Sequence, residues 1–486
     1  MNDSESWQHI RTHLKQIWGY PDFRPPQGEI IRSILLGQDA LIIMPTGGGK
    51  SICFQLPALL QLGLTIVVSP LVALMENQVK ELRDRHLPAA LLHSELPKDS
   101  RFKTLQQLER QQLRLLYLSP ETLLSKPIWE RLSQPQLKID TLILDEAHCL
   151  SQWGDTFRPA YRRLGAVRSA LLQYKPVGTK IAIAAFTATA DPLTQQTIQQ
   201  VLQLQQPAIF RQNPYRSNLH LQIKIVWTPK GRKQQLGKFI QSQQGEAGLV
   251  YVRTRRDSES LAEWLRQRGY TTAAYHAGLS PAERRRIEVS WLSGEIQFVV
   301  CTSAFGMGIN KSNVRWVVHF HAPLLLSEYV QEVGRAGRDG KPSSALTLIS
   351  EPTGWLDPED RQRQQFFETK MRSQYLSAQQ LAKKLPVKGE VEAVTRNFDG
   401  AIALSLLHSA NLLDWQDPFH YTIRQPIQLQ PPSQFPAVQQ MSQYLTTKQC
   451  RWQYLLKCFG FTQELPSSGC GHCDRCTHSN SNSTLS

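Results

Sequence analysis

No apolar run in this chain of 486 residues reaches the ~18 positions that a membrane-crossing helix needs. The polar start, Met1 to Gln8, lacks the apolar core of a secretory signal. Both absences point to a cytosolic or nucleoid location. Cysteine is scarce, with eight in all, and Cys53, Cys149 and Cys301 stand alone in apolar surroundings, as ordinary buried thiols do. The remaining five lie between Cys450 and Cys476. Acidic residues are also short, 40 against 55 basic ones, leaving a formal charge of +15 and a pI near 9.5. That excess makes a polyanion the natural partner, most simply nucleic acid, because phosphate contacts release counterions. A generally basic soluble protein is the plain alternative. The length excludes a single core and implies about two to four domains.

What the chain does carry begins with Met44-Pro45-Thr46-Gly47-Gly48-Gly49-Lys50-Ser51, directly after the apolar run Asp39 to Met44. Glycines let successive backbone N–H groups converge on one anion. On this reading Thr46, Gly47, Gly48 and Gly49 cradle the phosphates of a nucleotide, Lys50 reaches the outer phosphates, and Ser51 holds Mg²⁺ at the start of a helix through Leu60. Met44 stands where the general motif has its first glycine, and a lysine-containing turn without function is the competing reading. Upstream, Tyr20 and Arg24 offer flat faces for stacking on adenine, and Gln27 offers a donor and an acceptor for its edge.

Two apolar runs, Thr65 to Val68 and Leu115 to Leu118, each close on Ser-Pro, the punctuation of a buried parallel strand entering a loop. They alternate with helix-like segments at Val72 to Arg85 and Ser100 to Gln111, the rhythm of a doubly wound sheet. Ser69 and Ser119 are therefore candidates for holding a DNA backbone, or simply for capping helices. The strand Ile139 to Leu144 ends in Asp145-Glu146-Ala147-His148, where Asp145 serves Mg²⁺ and Glu146 polarises the attacking water. The next stretch carries Trp153, Phe157 and Arg158 without helical or strand period, and is expected to stack on bases and contact DNA. Thr187 and Thr189, after the strand Ile181 to Ala185, offer hydroxyls that link hydrolysis to domain closure.

A second alternating series starts near residue 215, with strands at Gly248 to Val252, Tyr275 to Leu279, Gln297 to Cys301 and Val317 to Phe320. It ends in Gln331-Glu332-Val333-Gly334-Arg335-Ala336-Gly337-Arg338-Asp339-Gly340. Arg335 and Arg338, with Gln331, form a candidate set for stabilising charge on a transferred phosphoryl group; binding a phosphate backbone without catalysis is the alternative. From about residue 351 the rhythm stops. Ser377 to Leu385 and Asp399 to His408 read as helices, and Leu412 to Trp415 with Phe419 to Ile423 as a hairpin turning at Gln416-Asp417-Pro418. This order suits a winged-helix-like module laying a helix or hairpin on duplex DNA, or a plain helical connector. Gln425 to Gln434 reads as a linker. Cys470-x2-Cys473-x2-Cys476 is a strong metal pattern, with Cys450, Cys458, His472 and His478 as further donors.

The ordered set resembles the RecQ DNA helicases of helicase superfamily 2. The resemblance rests on Gln27 and its surroundings, Met-Pro-Thr-Gly-Gly-Gly-Lys-Ser, Asp-Glu-Ala-His, Ser-Gln-Trp-Gly, Ala-Phe-Gly-Met-Gly-Ile-Asn-Lys and Gly-Arg-Ala-Gly-Arg-Asp-Gly. It covers roughly residues 10 to 350 and the terminal cysteines. In that family methionine is usual at the position of Met44. The resemblance implies an α/β fold of two tandem RecA-like parallel-sheet domains, with ATP and Mg²⁺ between them. It also implies 3′-to-5′ DNA unwinding in recombination and repair, and Cys450 with Cys470, Cys473 and Cys476 as the ligands of Zn²⁺. The expected organisation is 1–207 and 208–350 for the two motor domains, 351–435 for the winged-helix-like insert, 436–477 for the zinc module and 478–486 for a disordered tail. Expected partners are single-stranded tails and duplex junctions of DNA, with repair or single-strand-binding proteins beside them. The expected location is the nucleoid-associated cytoplasm of a bacterium or the nucleus of a eukaryote. The rivals are a superfamily 2 RNA helicase and a DNA-binding ATPase scaffold that does not unwind. Two positions depart from the family pattern: Asp155-Thr156, where His-Asp is usual, and His321, where Asp is usual.

Overall fold

The computed structural model describes residues 3–150, 159–305, 311–396, 398–424, 435–462 and 468–477. The chain divides into two compact units, one of Met1–Met44, Gly48–Gln212 and Lys370–Pro431, the other of Pro45–Gly47, Asn213–Thr369 and Pro432–Ser486.

The first unit is built on a seven-stranded parallel sheet. Its strands are β1 (Ala40–Ile43), β2 (Leu64–Val68), β3 (Ala89–Leu92), β4 (Leu115–Leu118), β5 (Ile139–Leu144), β6 (Ala182–Thr187) and β7 (Ala208–Arg211). Nearly every position of β1 through β6 is buried, as continuous aliphatic runs must be when helices cover both faces. The spatial order β3-β4-β2-β5-β6-β1-β7 sets β6 between β5 and β1. The loops leaving Met44, Asp145 and Ala188 therefore start at the same edge of the sheet, where α/β folds bind ligands.

One carboxylate secures the opposite edge of the sheet, where the strands begin. Asp39, at the foot of β1, accepts from Arg168 at 2.6 and 2.8 Å, from the Ile183 amide at 2.8 Å and from the Gln205 amide at 2.7 Å. Its own carbonyl accepts from the Ala208 amide at 2.9 Å, so β1, β6 and β7 all begin at this residue. Because β7 belongs to the first sheet, the change of unit falls at 212/213 and the expected boundary at 207/208 moves with it.

The second unit holds a six-stranded parallel sheet, ordered β10-β11-β9-β12-β13-β8. Its strands are β8 (Leu219–Val226), β9 (Gly248–Tyr251), β10 (Thr272–Tyr275), β11 (Phe298–Cys301), β12 (Trp316–His319) and β13 (Ser343–Ser350). Gly248 is required by packing: a Cβ there would lie 2.0 Å from the Trp316 ring. Arg232, fully buried, donates to Asp357 at 2.8 and 3.1 Å, to Asp360 at 3.0 Å and to the Phe320 carbonyl at 2.7 Å, fixing the end of β12 to the chain beyond β13. His321, one of the departures from the family pattern, is buried there, 3.1 Å from the Glu359 carboxylate, and burial pulls its pKa down.

The expected insert at 351–435 does not form one body. Residues 370–431 join the first unit and 432–486 the second. Within 370–431 the helix expected at Ser377 to Leu385 is the end of a longer one, Glu359–Ala382. The helix Phe398–Ser409 and the strands β15 (Leu413–Trp415) and β16 (His420–Ile423) fall where the sequence places them. Sequence reasoning missed β14 (Lys388–Glu390), a polar three-residue strand that pairs antiparallel with β16, and the short helix Val391–Thr395.

Replacing Asp39 by alanine leaves the buried Arg168 guanidinium without its counter-ion and the amides at Ile183 and Gln205 without an acceptor. We expect a loss of about 3–5 kcal/mol in the first unit, read as a lower urea midpoint with the slope unchanged.

Candidate functional site

The phosphate loop forms because β1 ends in a turn that only glycine adopts without strain: Gly47 and Gly49 have φ of +84° and +78°. Gly49 also has no room for a side chain, since a Cβ would meet the Gln27 amide nitrogen at 2.3 Å. Lys50 opens the helix Lys50–Leu60, followed by the half-buried Ser51. The Lys50 amine is buried and has no hydrogen-bond partner; the nearest acid oxygen, on Glu146, is 4.0 Å away. A buried ammonium at a helix N-terminus beside a glycine turn has the chemistry of a phosphate site.

Gln27 is buried and tied to this loop. Its amide donates to the Gly48 carbonyl at 3.0 Å, and its carbonyl accepts from the Arg24 amide at 3.0 Å. Thus the structure connects the segment expected to meet adenine with the segment expected to meet phosphate. Tyr20 and Arg24 are exposed beside it.

Asp145 and Glu146 follow β5 directly. The Asp145 amide donates to the Val68 carbonyl at 2.8 Å, and its side chain accepts from the Glu146 amide at 3.0 Å. Burial, then the negative charge of Glu146, raises the Asp145 pKa to about 6, against the pull of Lys50 and His148. A divalent cation relieves both penalties, so the residue types fit Mg²⁺. Glu146 has φ of +50°, a left-handed conformation that is costly for a residue with a side chain. Its carboxylate lies 3.2 Å from His148 Nδ1, which in turn sits 3.1 Å from the Thr187 hydroxyl. Thr187 also accepts from the Thr189 amide at 3.2 Å. The two threonines that the sequence singled out are therefore wired to the acid pair, through a histidine that the sequence reading left without a role.

Ser119 caps the helix Pro120–Leu123, its hydroxyl accepting from the Thr122 amide at 3.2 Å, so of its two readings the cap is the one the geometry fills. Ser69 instead has a buried hydroxyl with no hydrogen-bond partner. Trp153, Phe157 and Arg158 lie outside the described residues.

In the second unit Arg335 is buried and Arg338 half-buried on the stretch after the helix Leu326–Val333, which carries Gln331. Two residues that sequence reasoning missed shape this stretch. Arg216 donates to the carbonyls of Gly334, at 3.2 Å, and Gly337, and Asn218 donates to Gly337 at 2.8 Å and Lys341 at 2.8 Å. Burial, with the neighbouring charges of Arg335 and Arg216, pulls the Arg338 pKa down to about 10. Crowded, partly desolvated guanidinium groups of this kind gain from an incoming anion.

Glu332, beside them, is buried and gripped by Arg253 at 2.9 and 3.1 Å and by His319 at 2.9 Å. Burial alone would raise its pKa; Arg253 and His319 outweigh it and hold the carboxyl at about 2.

The sulfurs of Cys450, Cys470, Cys473 and Cys476 all lie within 4.8 Å of one another, and the separations 470–476, 450–473 and 473–476 are 3.9, 3.9 and 3.6 Å. A zinc tetrahedron with ~2.3 Å bonds has edges of ~3.8 Å, so this donor set fits Zn²⁺. Backbone amides of Cys470 and Arg451 donate to Cys450 and Cys473 sulfurs at 3.3 and 3.4 Å, which favours thiolates. Among the described residues Cys458 and His472 are not in the cluster. The module is welded to the second sheet: Trp452 donates to the Leu219 carbonyl at 3.2 Å, and Asp474, gripped by the fully buried Arg451 at 2.9 and 3.1 Å, accepts from the Ile223 amide at 3.1 Å.

Residues 24–198 match the DEAD/DEAH box helicase family, residues 231–340 the helicase conserved C-terminal domain and residues 421–477 the RecQ zinc-binding family. The chain is 51% identical over 472 residues to the ATP-dependent DNA helicase RecQ of Synechocystis sp., covering 96% of this chain and 98% of that protein. It is 41% identical to the ATP-dependent DNA helicase RecQ of Haemophilus influenzae over 72% of this chain and 56% of that one. The structure of the Mycobacterium smegmatis helicase Lhr bound to ssDNA and AMP-PNP shares the fold, with a TM-score of 0.58 at 19% identity, covering 90% of this chain and 61% of that one.

Removing metal tests the cysteine site. Chelation during refolding, or Cys473→Ser, is expected to lower the melting temperature of the second unit, with added Zn²⁺ restoring the wild type only. Glu332 gives a pH signature of opposite origin. Its depressed pKa contributes stability that is complete above the ordinary carboxylate range and lost as pH falls toward about 2. Glu332→Gln is therefore expected to flatten the acid limb of the stability curve between roughly pH 4.5 and 2 while lowering stability at neutral pH.

Proposed function

The chain belongs to the RecQ family of ATP-dependent DNA helicases, and from that premise we propose how its own residues run the motor. It is an ATP-dependent DNA helicase with DNA as partner and ATP, Mg²⁺ and Zn²⁺ as its small ligands. We assign it 3′-to-5′ travel on one strand and a part in recombination and repair. Among the described residues no helix is long and apolar enough to cross a membrane. We place the protein with DNA in the nucleoid-associated cytoplasm of a bacterial cell.

The observation that carries the reading is the buried Lys50 amine, held without a hydrogen-bond partner at the head of its helix and 4.0 Å from Glu146. Lys50 and the amides of Thr46 to Gly49 take the phosphates, while Tyr20, Arg24 and Gln27 take the base. Ser51 and Asp145 would hold Mg²⁺, which when bound neutralises phosphate charge. Glu146 accepts the proton of the attacking water, and its φ of +50° fixes where its carboxylate points. Arg335 and Arg338, with Gln331 beside them, neutralise the charge that develops on the transferred phosphoryl group. Ser69, Trp153, Phe157 and Arg158 are proposed to meet the DNA strand, and the four cysteines to hold a structural zinc.

Lys50→Ala is expected to reduce DNA-stimulated ATP hydrolysis by about 100-fold or more and to abolish strand separation on a 3′-tailed duplex, with DNA affinity retained. Survival of both activities in this variant would sink the mechanism, and survival of unwinding alone would sink the coupling.

A further inference from the structure

The described residues of the module 370–424 have the chain order helix, strand, helix, helix, strand, strand, the order expected of a winged helix. Such modules read duplex DNA with the helix before the hairpin or with the hairpin tip, and either must stand free to enter a groove. Here both make contacts elsewhere in the first unit. Residues 402–407 of the helix Phe398–Ser409 are all buried, and the Ser405 hydroxyl lies 3.5 Å from the Pro159 carbonyl. At the hairpin turn, buried Pro418 accepts from Arg163 Nε at 2.8 Å, and the Phe419 ring meets Trp129 edge-on with centroids 5.2 Å apart.

All of these contacts fall on the first unit, and most on one short element, the 3₁₀ segment Pro159–Ala166. Inside that segment Tyr161, fully buried, donates its hydroxyl to the Asp145 carbonyl at 3.0 Å. A line of contacts therefore runs from the Pro418 carbonyl through Arg163 and the 159–166 backbone to Tyr161 and the peptide between Asp145 and Glu146, while Phe419, next to Pro418, anchors the same turn on Trp129. The same segment follows directly on residues 151–158, which carry Trp153 and Phe157.

We propose that residues 370–424 hold a brace on the first motor domain, with Arg163 and Phe419 as positioning residues that set Tyr161, and through it the Asp145–Glu146 peptide, for DNA-stimulated hydrolysis. The module is not a reader of duplex DNA. This rests on the helicase reading given above. Exposed Lys383, Lys384 and Lys388 lie on the same module, so the test must separate a brace from a phosphate contact.

In the full chain, Phe419→Ala and Arg163→Gln are expected to lower kcat for ATP hydrolysis at saturating single-stranded DNA by about three- to tenfold. The KM for ATP, the DNA concentration at half-saturation and the salt dependence of DNA binding should stay within about twofold of wild type, as expected when no phosphate contact is lost. Phe419→Tyr and Arg163→Lys should recover most of the rate. Should Phe419→Ala fail to fold, Phe419→Leu removes the ring edge while keeping most of the volume and is judged by the same numbers. Unchanged kcat in both variants overturns the brace. So does full kcat at saturating DNA combined with weaker, less salt-dependent binding, which would make the module a DNA reader. A wild-type chain that hydrolyses no ATP would instead sink the helicase reading, and is distinguishable from either result.

Discussion

A guanidinium taken out of water has to find a carboxylate, and this one requirement fixes the ends of the strands on which the sites are built. Arg168 reaches Asp39 across 129 residues of chain, Arg232 reaches Asp357 across 125, Arg253 reaches Glu332 across 79 and Arg451 reaches Asp474 across 23. Each pair is buried or nearly so. Such pairs add little net stability, because desolvation offsets most of the attraction, but breaking one is expensive. Their effect here is to make register discriminating. A fold in which β1 slipped against β6 would leave Arg168 charged and alone.

Rigid strand ends matter because the acid pair proposed to carry the chemistry is strained. Glu146 sits at φ of +50°, and Asp145 carries a proton affinity raised by burial and by its neighbour. Both conditions cost stability and persist only where the surroundings over-determine them. The ladder bond from the Asp145 amide to Val68 holds one side of this residue, and the Tyr161 hydroxyl, donating to its carbonyl, holds the other. The result is an acid pair whose orientation is set before any ligand arrives, which is the condition for electrostatic catalysis without reorganisation at the moment of reaction.

Much of this could be read in the sequence because the relevant signals are local. Runs such as Leu115 to Leu118 must be buried strands, and a glycine turn before Lys50 needs φ > 0 wherever it occurs. The terminal cysteines likewise announce a metal by spacing alone. What escaped is non-local or weak. Asp39 looks like any polar residue before a strand until Arg168 arrives from far along the chain. Arg216 and Asn218 shape the Arg335 stretch from more than a hundred residues away. β14 has the composition Lys-Gly-Glu and becomes a strand only because β16 supplies the partner. The same limit explains Ser119: Ser-Pro after a strand fits a DNA contact and a helix cap equally well, and only the Thr122 amide at 3.2 Å separates them.

The chain after residue 369 shows how differently two small modules can be made stable. Residues 370–431 gather a core of their own, including Val391, Leu404, Leu407, Leu413 and Tyr421, and add to it by packing Phe419 on the first sheet's core. The zinc module gathers none among the described residues: Tyr444, Trp452, Leu455 and Cys473 all belong to the apolar cluster of the second sheet. A segment without its own core must be closed by other means. Four cysteine sulfurs at tetrahedral spacing would do that locally through a bound Zn²⁺, and the buried Arg451–Asp474 pair, with Asp474 also accepting from the Ile223 amide at 3.1 Å, does it against β8. Metal binding and docking would thus be parts of one closure, because Cys473 and Asp474 are adjacent and face the cysteine cluster and the sheet respectively.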